Sequence, residues 1–152
     1  MTMYKFITSC FALAALLIFS GNSFAQEKKK EADHEEIGPH KGPAAEWGDE
    51  EYHLEFVPDA KTGTVTVYVY GDHRALHKGI SAAIDSKMLV LALKTTPPIT
   101  IKLEPKPAKD DKDGKSSVFV GKHEIFSKDM KFAGTISGKV GTKPYSGDFK
   151  QK

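Results

Sequence analysis

The chain has 152 residues, with 22 basic and 20 acidic side chains and a formal net charge of +2. That length suits one domain plus a leader, and the alternation of charge sign along the chain excludes the one-sided field that nucleic acid requires. The single cysteine, Cys10, lies in the N-terminal apolar run, so the rest of the chain offers no disulfide, thiolate nucleophile or cysteine metal ligand.

Lys5, the apolar run around Phe11 to Phe19 and the small-x-small ending Ser23-Phe24-Ala25 predict an export signal over residues 1–25. The run falls short of the ~20 apolar residues that span a bilayer, and no second one follows, so the mature chain is expected to start near Gln26 without a membrane span. A periplasmic or secreted protein is the expectation. Residues 26–44 are polar and rich in Gly and Pro, with Ile37 alone among the larger apolar side chains, and are expected to form a flexible arm.

From Trp47 onward the pattern has period two. Tyr52, Leu54 and Phe56 alternate with His53, Glu55 and Val57, and Val65, Val67 and Val69 alternate with Thr64, Thr66, Tyr68 and Tyr70, which predicts two strands joined by a turn from Pro58 to Gly63. Further strands are predicted at Leu89–Leu93, Ile99–Leu103, Val118–Val120, Phe132–Val140 and Pro144–Phe149. In the last two, glycines alternate with aromatic and branched residues, so that a ring from one strand can lie over bare backbone of its neighbour. Short antiparallel strands without a long amphipathic helix predict an all-β domain over residues 45–152. A two-sheet, immunoglobulin-like antiparallel sandwich is the first expectation, and a small open β-barrel is the alternative.

Catalytic signatures are missing from the sequence. Gly114-Lys115-Ser116 imitates the end of a phosphate loop, but Lys109 stands where that loop needs glycine. There is neither a Gly-x-Ser-x-Gly elbow nor a His-Glu-x-x-His helix, and no residue is assigned a catalytic role. The histidines carry the chemistry worth weighing. All six lie beyond the export signal, and imidazole with carboxylate suits copper(II), zinc or nickel. The arm holds His34-Glu35-Glu36 and then His40, and His53 points away from the Leu54 and Phe56 face. His73 and His77 are spaced for one side of a helical turn, although Asp72 and the strand before it favour a loop there. If the Val65, Val67 and Val69 side is core, Tyr68 and Tyr70 face solvent or a partner.

The run Gly38-Pro39-His40-Lys41-Gly42, then Glu46-Trp47-Gly48 and Glu51-Tyr52-His53-Leu54-Glu55-Phe56, then Thr64-Val65-Thr66-Val67-Tyr68-Val69, resembles a group of small exported bacterial domains. In these a His-Gly-rich entry precedes a Glu-Tyr-His strand. Such domains occur alone or beside periplasmic adaptor subunits of efflux systems. The likeness covers residues 38–70 and, loosely, the final hairpin; Lys41-Gly42 stands where the group has paired glycines. The resemblance implies heavy-metal handling, with His40 and His53 as the residues carried over. Together with His34 from the arm, the expected metal ligands are therefore His34, His40 and His53, in a non-enzymatic module for a divalent ion. The alternative is a metal-free module that binds a periplasmic protein partner through a sheet face or edge.

Overall fold

A computed structural model of the chain describes residues 36–152. The expected export signal, residues 26–35 of the expected arm and His34 lie outside the described residues. The elements in chain order are β1 (Glu36–Ile37), β2 (Pro43–Trp47), β3 (Tyr52–Asp59), β4 (Thr64–Tyr70), α1 (His73–Lys78), β5 (Leu89–Leu93), β6 (Ile99–Pro105), β7 (Val118–Lys122), a 3-10 turn (Glu124–Ser127), β8 (Ala133–Val140) and β9 (Lys143–Lys150). Every strand expected beyond Trp47 is present, and the domain is all-β.

The strands form one antiparallel sheet in the order β1-β2-β3-β4-β7-β6-β5-β8-β9. This is the open-barrel alternative, curled as a half-barrel, and it replaces the two separate sheets of an immunoglobulin-like sandwich. The physical reason is β6. Its first part pairs with β5, from Ile99↔Leu93 to Leu103↔Leu89, and its last residues, Glu104 and Pro105, pair with β7. One strand thus runs from one half of the sheet into the other, and no break separates two layers.

The curl brings β2 against the far end of the sheet. Trp47 is wholly buried and its Nε1–H donates to the Ile136 carbonyl of β8 at 2.9 Å. Gly147 of β9 faces the backbone of β2 so closely that a Cβ there would lie 2.1 Å from the Glu46 carbonyl oxygen, an approach that only glycine allows. Gly134, paired with Phe149, sits beneath the Phe149 ring, where a Cβ would be 3.1 Å from ring carbons. The expected pattern of rings over bare backbone is therefore present. Leu54, Phe56, Val65, Val67, Val69, Leu89, Leu91, Phe119 and Ile136 fill the interior of the curl, as the period-two pattern required.

The structure corrects two further expectations about the fold. Residues 36–44 are not a free arm: Glu36–Ile37 pairs with β2, and Pro43, Ala45 and Trp47 alternate inward to burial along β2. Composition misled because the segment is held by backbone pairing and by the close fit of small residues such as Pro43, while its one larger apolar side chain, Ile37, stays half exposed. The second concerns residues 73–78, which form a helix rather than a loop. Asp72 accepts the Ala75 N–H at 2.8 Å as N-cap, and Gly79 takes the left-handed conformation, φ +67°, that closes the C-terminus.

Candidate metal centre

Strand β3 is buried on both faces. Leu54 and Phe56 point into the core, while His53 and Glu55, on the opposite face, are also fully buried. The register sets Tyr70 of β4 opposite His53, and Tyr68 opposite Glu55. This outer face carries a polar layer roofed by the β1–β2 hairpin and α1. Tyr68 and Tyr70 are therefore not a solvent-facing patch: Tyr70 is buried, and the His40 ring stacks on Tyr68 at a centroid distance of 3.9 Å and an interplanar angle of 11°.

Glu55 ties the roof down. Its Oε1 accepts the N–H groups of His40 (2.7 Å) and Gly42 (3.0 Å), and its Oε2 accepts from His40 Nδ1 (2.9 Å) and the Tyr70 hydroxyl (2.9 Å). Burial first, and then the hydrogen bond to Glu55, push the Tyr70 phenol well above its ordinary range, so it stays a donor. The glycines of Gly38-Pro39-His40-Lys41-Gly42 make the fit possible. A Cβ on Gly38 would lie 2.3 Å from the Glu55 carboxyl carbon, and one on Gly42 would lie 2.2 Å from the Phe56 carbonyl oxygen. Lys41 takes φ +65° at the tip of this turn. The glycine-rich entry is thus the chain's means of lying flat on β3.

This turn joins β1 to β2, and β1 carries Glu36. Among the described residues, Glu36, His53 and His73 each present one ligand atom such that all lie within 4.8 Å of one another. Glu36 stands between two rings. Its Oε1 contacts Nδ1 of His73, and its Oε2 lies 2.9 Å from Nε2 of His53. A zinc-sized ion with bonds of about 2.0–2.1 Å sets its ligand atoms roughly 3.3 Å apart, within the span of this group.

The state of His53 follows from its partners. Nδ1 lies 3.0 Å from the Gly71 carbonyl oxygen; a carbonyl only accepts, so Nδ1 carries the proton. In the neutral ring Nε2 then presents a lone pair to Glu36 Oε2. Neither atom makes a hydrogen bond, and both are buried. Two facing lone pairs in a buried setting repel unless a positive charge lies between them, either a proton on Nε2 or a metal ion. His53 is not reachable from solvent, as its strand position alone had suggested, because Glu36 and α1 cover it.

The expected ligands fare differently. His53 is in the group, His40 is turned to Glu55 and lies outside it, and His34 is outside the described residues. Glu36 and His73 were not expected. The signal for His73 was present though it pointed to a loop: Asp72 before it, Gly79 after it and His77 four residues on also mark a short capped helix. Glu36 was not legible, since nothing local distinguishes it from Glu35. No protein-family model, curated protein or solved structure matches the chain.

Proposed function

We propose that this protein is an exported, non-enzymatic module that binds a divalent metal ion through Glu36, His53 and His73. The observation that carries the reading is the buried Nε2 of His53 facing a Glu36 carboxylate oxygen at 2.9 Å without a hydrogen bond, an arrangement that calls for a positive charge between the two atoms. Two imidazole nitrogens and one carboxylate suit zinc, copper(II) or nickel, whereas the soft thiolate or thioether donors that copper(I) prefers are not part of the group. Handling of such an ion in the periplasm, as an accessory to efflux, is the role that the resemblance of residues 38–70 supports. The leader reading has its own check. Mass spectrometry of the exported protein should give an N-terminus at or near Gln26, and a retained Met1 would overturn export by cleavage.

Calorimetric titration of the exported protein with zinc, copper(II) and nickel is expected to show one saturable site at neutral pH. The His53→Ala variant should lose at least about 100-fold in affinity, since loss of an outer partner alone commonly costs 10- to 100-fold. His123→Ala should leave affinity unchanged, because that imidazole accepts the Ile125 N–H as cap of the 3-10 turn. A folded protein with no saturable site would leave the metal-free, partner-binding module as the surviving account.

A further inference from the structure

The exposed helix α1 carries a further imidazole that the group of three does not use. His77 Nε2 lies 3.1 Å from Nε2 of His73, with ring centroids 4.3 Å apart and planes at 79°. It addresses the nitrogen of His73 that faces away from Glu36, because Nδ1 of His73 is the atom in contact with Glu36. We infer that His77 is a positioning residue of the metal centre: when an ion takes Nδ1 of His73 in place of the proton that faces Glu36, His77 Nε2 accepts the Nε2–H of the resulting tautomer. The inference rests on the metal reading above and adds the residue that sets which face of His73 binds.

Proton placement decides which nitrogen of a ring can bind an ion. A neutral imidazole has one proton for two nitrogens, and an ion can take only the nitrogen without it. In His53 the choice is made by Gly71, whose carbonyl oxygen takes the Nδ1–H and leaves Nε2 toward Glu36 Oε2. His73 presents the opposite nitrogen to the other oxygen, Oε1. When an ion takes Nδ1, the neutral ring keeps its one proton at Nε2, and the atom within hydrogen-bond distance to accept that N–H is Nε2 of His77. The two ligand rings would then be fixed by two outer acceptors, a backbone carbonyl for the buried one and an imidazole for the exposed one. Such partners orient the ring and raise its basicity toward the metal. The local sequence supplies the geometry, since residues four apart stand one above the other on a helix, and Asp72 and Gly79 cap this one at both ends.

The test is a titration of the exported protein with cobalt(II), whose visible bands report the donor set, followed by displacement with zinc. It would be run on the native chain, His77→Ala and His77→Gln. Glutamine carries both an acceptor oxygen and a donor nitrogen and can replace the imidazole as outer partner. The expected result is a loss of about 10- to 100-fold in affinity for His77→Ala, recovery of most of it in His77→Gln, and the same cobalt(II) band positions in all three. Equal affinity in His77→Ala and the native chain would overturn the inference while leaving the metal site standing. Bands that shift in both variants would also overturn it, by showing His77 to be a ligand itself. Failure of the native chain to take up cobalt(II) or zinc would instead overturn the metal reading on which the inference rests.

Discussion

Replacing Trp47 with alanine is expected to lower the unfolding free energy by about 3–5 kcal/mol, the range for removing a large buried aromatic side chain. Trp47 is the only tryptophan, so the transition must be followed by circular dichroism. The indole joins β2 to the opposite end of the curled sheet: its Nε1–H donates to Ile136 O, and its ring lies parallel to Tyr145 at 5.4 Å. Its other neighbours include Gly138 and Gly147, where a Cβ would fall 3.1 Å from ring atoms. Glycines have no side chains to collapse into the space, so the cavity stays open and the cost lies toward the upper end. Trp47→Phe keeps most of the ring and loses the hydrogen bond, and a smaller loss of about 1–2 kcal/mol is expected. A loss below about 1 kcal/mol for Trp47→Ala would mean that β2 is not docked on β8 and β9.

The parts of the fold that were legible in the sequence are those set by one local rule. Val65, Val67 and Val69 read as a buried strand face, and they are one. The turn from Asp59 to Gly63 was marked by its residues: Asp59 accepts from the Lys61 N–H and the Thr62 hydroxyl, and Gly63 takes φ +64°. What could not be read is a second layer. Alternation assigns His53, Glu55, Tyr68 and Tyr70 to the side away from the core, which ordinarily means solvent. Whether another segment covers that side depends on contacts between residues far apart in sequence, such as Gly42 with Glu55 and Glu36 with His53. The same limit applied to sheet closure, because a period-two pattern is identical in a sandwich and in a half-barrel. The candidate site was half legible for this reason: one ligand sits on a strand, one on a capped helical turn, and the third is brought in by a turn whose partner is a buried carboxyl group.

That carboxyl group is the other place where a large effect is expected. Glu55→Ala should destabilise the protein by about 3–5 kcal/mol, because it removes the acceptor shared by four donors, of which only the Tyr70 hydroxyl and His40 Nδ1 have another partner, each other at 3.2 Å. The four donors are the N–H groups of His40 and Gly42, His40 Nδ1 and the Tyr70 hydroxyl, and each buried donor left unsatisfied costs about 1–3 kcal/mol before relaxation. The sum exceeds the estimate because His40 is about half exposed, so water can reach part of the vacated site. Tyr70→Phe removes only one of the four donors and should cost about 1–2 kcal/mol. The two variants also separate structure from function. Glu55 touches none of the three proposed ligands, yet it fixes the turn that follows β1, and β1 carries Glu36. Glu55→Ala is therefore expected to weaken zinc binding at temperatures where it is still folded, whereas Tyr70→Phe, which leaves both backbone N–H groups bonded, should bind zinc much as the native chain does. If Glu55→Ala bound zinc with unchanged affinity, Glu36 would be placed by β1–β2 pairing alone, and the glycine-rich turn would have no part in assembling the centre.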